Sequence, residues 1–159
     1  MEALYAQFWH EPRYRPSPIV RTRVEAGLLG KKTGRGFYAY EDGRIVKPSE
    51  EKVPAFKSVP VWTNDEKIAA LLSDLDAQID AGKQPGTESL ILIAPRGEDA
   101  TGMAARQGLD AKRTLALDTL FGLDRRRGAM TTPATRSEYR DMAHALLAQD
   151  GKAVSVIKD

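Results

Sequence analysis

Gly27-Leu28-Leu29-Gly30-Lys31-Lys32-Thr33 imitates a phosphate-binding loop, whose glycines free backbone N–H groups and whose lysine meets phosphate. Glu25 stands where the first glycine belongs and Lys32 where the magnesium-binding hydroxyl belongs, so the match fails at both ends. Asp118 is a second candidate, a carboxylate at the end of an apolar run, the place where doubly wound sheets hold ligands. A lone carboxylate also caps and turns, and no Ser/His/Asp, Cys/His or paired-carboxylate set accompanies it. His10 follows an aromatic helix end. His144 lies between Arg140 and Asp141, on the polar side of a helix whose apolar face is Tyr139, Met142, Ala143 and Leu146, which predicts a solvated side chain. Arg96 and the run Arg125 to Arg127 are candidate phosphate donors, although charge runs usually need only water. With no cysteine and two histidines, no metal site is expected. No residue is assigned a catalytic role, and the cofactor-binding residues are unknown.

These residues sit in a 159-residue chain with 42% hydrophobic and 29% charged residues, the balance of a globular protein. A formal charge of +2 gives no global field for nucleic acid, no apolar run suits a membrane, and the N-terminus lacks secretory signal features. A cytoplasmic protein without nucleic-acid or membrane partners is the expectation.

Leu4, Tyr5, Phe8 and Trp9 form a helical stripe that begins without a cap. After Pro12, Pro16 and Pro18, helical spacing resumes from Ile19 to Leu29 and stops at Gly30, and Gly34 and Gly36 bracket a turn into an extended Phe37-Tyr38-Ala39-Tyr40. Residues 41–58, with two prolines and many charges, read as a linker. From Val59 the pattern is strand, helix, strand, helix, strand, helix, strand. Val59 to Trp62 opens it. A helix capped by Thr63 and Glu66 carries Ile68, Leu71, Leu72, Leu75 and Ile79 to Gly82, and Ser89 to Ala94 is a strand buried on both faces. Helix 99–107, strand 114–121, a helix over 135–149 capped by Thr135 and Glu138, and strand 153–157 complete it. This order predicts an α/β fold: a small doubly wound, mainly parallel sheet, preceded by a helical and extended segment. A G-x-G-x-x-G fingerprint is missing after the first strand, where Trp62-Thr63-Asn64-Asp65-Glu66 places two carboxylates against any pyrophosphate.

The stretch EPRYRPSPIVRTRVEAGLLGKKTGRGFYAY, within residues 1–40, closely resembles the closing segment of the all-helical C-terminal domain of bacterial 3-hydroxyacyl-CoA dehydrogenases. It shares their "YRPS" and "AG-LG-K-G-GFY-Y" in order. The resemblance implies that these glycines and aromatics serve turns and packing. Residues 59–159 resemble the NAD-binding half of the same family in reduced form, through Asp110 to Asp118, Thr131 to Thr135 and Gly151 to Asp159. Aligned so, the family's catalytic histidine falls on Asp118, its partner glutamate on Met130, the following asparagine on Phe121, and the serine of its "NTSS" turn near Arg96 and Gly97.

The resemblance implies an internal piece of a long, two-lobed dehydrogenase of fatty-acid or phenylacetate degradation, whose parent oxidises (S)-3-hydroxyacyl-CoA with NAD. This piece would hold no cofactor. It would pack against the remaining domains of the parent, with a possible homodimer, and meet acyl-CoA only through the parent. The alternatives are a regulatory CoA- or nucleotide-binding module, with Arg96 or Arg125 to Arg127 as donors, and an independent catalytic domain using Asp118.

Overall fold

The computed structural model describes residues 2–47 and 49–158, and the chain divides into two compact units, 1–49 and 50–159. The division lies inside the stretch 41–58.

The first unit holds helices α1 (Glu2–Gln7) and α2 (Pro18–Glu25) and a hairpin of β1 (Tyr40–Glu41) and β2 (Arg44–Ile45). Pro18 occupies the first turn of α2, where its missing N–H costs nothing. Helix α2 ends five residues before Gly30, and Gly27 takes φ 71° behind it. Phe37 to Ala39 lie outside any strand. Asp42 and Gly43, both left-handed at φ 49° and 72°, make the turn of the hairpin where a linker was expected. A Cβ on Gly36 would lie 2.7 Å from the Gly30 Cα, so the close crossing of these two turns requires the glycine.

The second unit is a five-stranded sheet in the order β3 (Val61–Trp62), β4 (Leu90–Ile93), β5 (Thr114–Leu117), β6 (Arg126–Thr131), β7 (Ala153–Lys158). Pairing is parallel except between β5 and β6. Helices α3 (Glu66–Asp74) and α5 (Ser137–Leu147) cover one face, where Ile68, Leu72 and Leu146 meet Leu90, Leu92, Leu115 and Leu117. Helix α4 (Ala100–Gln107) covers part of the other through Ala100 and Met103, against Trp62, Ile91, Ile93 and Ala116. The fully apolar β4 is buried on both faces, as its sequence requires.

Strand β6 is absent from the sequence expectation, because its inward positions read Arg127, Ala129 and Thr131 rather than a run of large apolar residues. Helix α3 stops at Asp74, with Leu75 as its cap and Asp76 left-handed at φ 49°. The Ala77 N–H then bonds the Leu72 carbonyl, and Gly82 has no part in this ending. Ile79, expected on the helix face, instead bridges Val61 in parallel, with Val61 donating to Gln78 O at 2.8 Å and Asp80 donating to Val61 O at 2.9 Å. Residues 77–80 are therefore the remnant of a strand outside β3. The chain steps from β3 through α3 to that remnant, then back across β3 to β4. Direction and face reverse together, so the steps through α3 and α4 keep one hand, and the topological switch point falls between β3 and β4. Strand β5 ends at Leu117, because the Asp118 carboxylate accepts from Leu120 N at 2.9 Å and turns the chain.

Candidate functional site

In a doubly wound sheet the ligand crevice opens beyond the carboxyl ends of the strands at the switch point. Here that place lies between Trp62-Thr63-Asn64-Asp65 and Ala94-Pro95-Arg96. Asp65, not Thr63, caps α3: its Oδ1 accepts from Lys67 N at 2.9 Å and Ile68 N at 3.1 Å. Thr63 Oγ1 accepts from Asp65 N at 3.1 Å and so holds the capping residue in place. Arg96 Nη2 donates to Asp65 Oδ2 at 3.2 Å, and Asn64 Nδ2 to Gln107 Oε1 at 3.1 Å. The backbone donors and positive dipole that a pyrophosphate would use are thus satisfied by a carboxylate of the chain itself. Trp62 is buried, its indole N–H donating to Gly82 O at 2.8 Å.

A second opening, a cavity of about 560 Å³, lies beyond the ends of β4 and β5 and over the second face of β6 and β7. Gly97, Asp118, Gly128, Met130 and Ile157 line it, with Leu120 at its mouth. The register explains the floor: Ala116 pairs with Met130, which pairs with Ile157, giving an apolar row across three strands. Asp118 is exposed, and among the described residues it has no ion-pair partner.

Of the positions that the dehydrogenase resemblance makes catalytic, Asp118, Met130 and Gly97 line this one cavity. Phe121 does not line it and is 78% exposed, and Arg96 pairs with Asp65 in the first crevice. A thioether accepts no proton at neutral pH and cannot orient an imidazole.

The remaining candidates separate. Arg127 is buried, bonded to Leu123 O at 3.1 Å, to Leu147 O, and to both Asp150 carboxylate oxygens at 2.8 and 2.7 Å. Arg126 pairs with Glu50 and donates to Ser155 Oγ, leaving Arg125 as an exposed member of that run. His144 is 4% exposed, against the expectation of a solvated side chain, because the last turns of α5 are buried on nearly all sides. It lines neither opening. His10, at φ 63°, meets the edge of Tyr5 with centroids 4.9 Å apart. The Thr135 and Glu138 capping box does not form. Thr135 Oγ1 donates to Thr114 O at 2.8 Å and accepts from Thr132 N at 2.8 Å, fastening the end of β6 to β5.

The imitation of a phosphate loop at Gly27 to Thr33 follows a helix rather than a strand, and Thr33 Oγ1 accepts from Leu29 N at 3.0 Å within its own turn. Arg23 stacks over the Phe37 ring, 4.0 Å from its centroid, and its Nη1 donates to Gly36 O at 2.7 Å. Among the described residues no group of three or more His, Cys, Asp or Glu side chains could hold a metal ion, and no helix is long and apolar enough to cross a membrane.

Residues 1–40 match the family described as 3-hydroxyacyl-CoA dehydrogenase, C-terminal domain. In this segment the chain is similar to 3-hydroxyacyl-CoA dehydrogenases. A probable 3-hydroxybutyryl-CoA dehydrogenase of Deinococcus radiodurans is 55% identical over 40 residues, 25% of this chain and 14% of that protein. One from Bacillus subtilis is 52% identical over 42 residues, 26% of this chain and 14% of that protein. The chain thus spans a small part of the dehydrogenases it matches. A crystal structure of 3-hydroxybutyryl-CoA dehydrogenase from Escherichia coli K12 superposes with a TM-score of 0.51 at 22% identity. It covers 98% of this chain, which in turn covers 29% of it, and shows that the fold is shared. The turns at Gly30, Gly34 and Gly36 and the Arg23–Phe37 stack lie inside the matched segment.

Proposed function

We infer that this chain is a non-catalytic part of an NAD-dependent (S)-3-hydroxyacyl-CoA dehydrogenase, serving packing and assembly of its domains. The observation that carries this reading is the Asp65 carboxylate seated on the α3 N-terminus, where a dinucleotide phosphate would have to sit. The cavity beyond β5 supports it, since Asp118 and Met130 stand where the resemblance places a histidine and its glutamate. A carboxylate is a poorer acceptor for a hydroxyl proton than an imidazole, and a thioether does not replace the imidazole's carboxylate partner.

The first unit supports the packing role. No residue between 2 and 47 is buried, while Leu4, Phe8, Trp9, Ile19, Val24 and Phe37 are exposed, so its apolar groups call for a surface to cover them. The remaining domains of the parent enzyme, and a second copy of it in a homodimer, are the partners this reading assigns. NAD and acyl-CoA belong to the parent's active lobe, in fatty-acid or phenylacetate degradation in the cytoplasm. The regulatory reading keeps Arg125 as its exposed donor, after Arg96, Arg126 and Arg127 are accounted for by Asp65, Glu50 and Asp150.

An assay of the whole chain with 3-hydroxybutyryl-CoA and NAD, read as NADH absorbance, tests the reading. No turnover above background is expected. Turnover that disappears in Asp118→Asn would overturn it in favour of a catalytic Asp118.

A further inference from the structure

The cavity over β6 and β7 combines two properties that select one kind of occupant. Its floor is apolar, with Ala116, Met130 and Ile157 in one cross-strand row, and Leu120 and Ile157 stay 69% and 52% exposed at its mouth. Helix α4 covers the same face over β4 and β5 and leaves this part bare. Gly128, without a side chain, lowers the floor beside Asp118.

Among the described residues, the charged groups on its walls are Glu98, Asp99 and Asp118, and no basic residue lines it. Glu98 is bridged by Arg106, and Asp99 caps α4 by accepting from Gly102 N. Asp118 accepts from Leu120 N alone among the described residues, and has no counter-cation there. An open apolar trough with an uncompensated carboxylate at its mouth complements an aliphatic stem that ends in a cation. Phosphates of CoA or a nucleotide, and fatty carboxylates, meet like charge instead.

We propose that this cavity is a docking site for a lysine side chain on an apolar segment of a partner protein. The stem lies along Met130 and Ile157, and the ammonium donates to Asp118. Because docking a lysine here needs no proton transfer, this site is independent of whether the chain lacks catalysis.

The test uses n-hexylammonium as the lysine mimic, with hexanoate and n-hexanol as partners of equal length, titrated into the whole ¹⁵N-labelled chain. Saturable shifts of the Gly128 and Met130 amides by hexylammonium, with hexanoate at least about fivefold weaker, are expected for a charge-assisted pair at a half-open site. Asp118→Asn keeps the oxygen that accepts from Leu120 N, and is expected to remove the preference while leaving hexanol unchanged. Ile157→Lys, at an exposed position, supplies the cation internally and is expected to abolish hexylammonium binding. Equal binding of hexanoate, an unchanged preference in Asp118→Asn, or no saturable shift with hexylammonium would each overturn the proposal.

Discussion

At the scale of single residues, Arg127 makes the sharpest statement about structure against function. Its guanidinium is desolvated and satisfied by two carbonyls and Asp150, so an exposed basic run in the sequence conceals one structural cation. Arg127→Met is expected to destabilise the second unit by about 3 kcal/mol, since it strands buried carbonyl acceptors and an acid designed to be paired. Arg125→Ala is expected to change stability by less than about 0.5 kcal/mol. Chemical denaturation of the two variants checks the contrast. The same contact sets a pH response. Hydrogen bonding from Arg127 holds the Asp150 carboxyl below its ordinary value, and bonds from Ser89, Gly86 and Gly82 do the same for Asp80. A depressed carboxyl contributes stability that is present above its unfolded value and lost as pH falls through its folded value. Melting temperature is therefore expected to hold at neutral pH and fall below about pH 4, and Asp150→Asn to flatten that fall.

At the scale of elements, the ends of α3 carry the argument. Asp65→Ala removes the acceptor of Lys67 N and Ile68 N and the partner of Arg96, and is expected to cost about 1 kcal/mol. Asp76→Gly relieves a left-handed backbone at φ 49° and is expected to stabilise by up to about 1 kcal/mol, read from the shift of the denaturation midpoint. These ends also mark how far the sequence could be read. The apolar run of β4, the helical faces of α3 and α5, and Gly108 ending α4 at φ 66° all follow from local pattern, because local pattern and burial agree there. Strand β6 was hidden because an inward position is an arginine whose partners, Asp150 and Leu147 O, lie twenty or more residues away. Ile79 kept helical spacing, yet its backbone neighbours complete the ladder of Val61, a tertiary demand that outweighs periodicity. The α3 cap lies two residues beyond Thr63 because Thr63 and Asp65 are both good caps, and only Asp65 reaches the free N–H groups. For the site, the dehydrogenase resemblance places Asp118 and Met130 at the family's catalytic positions. That both line one cavity depends on the pairing of β5 with β6, which local spacing does not encode.

At the scale of the whole molecule, the two units differ in what holds them. The second has a core on each face of its sheet, with Ile68, Leu72, Leu90, Leu92, Leu115 and Leu147 fully buried. The first has its turns, a short hairpin and the Arg23–Phe37 stack, but buries none of its described residues. Hydrogen exchange of the whole chain is expected to find amides of β4 and β5 protected, and those of residues 2–47 exchanging close to unstructured rates. Slow exchange across α1 and α2 would contradict an uncovered first unit. The second unit is a doubly wound sheet in which Asp65 occupies the α3 N-terminus and the Asp65–Arg96 pair crosses the switch-point crevice. Calorimetric titration of the whole chain with NADH tests it most directly. The expected result is no saturable heat up to about millimolar NADH, the weak end of specific affinity. Saturation in the micromolar range, weakened by Arg96→Ala, would contradict it and would mean that dinucleotide displaces the carboxylate from the α3 N-terminus.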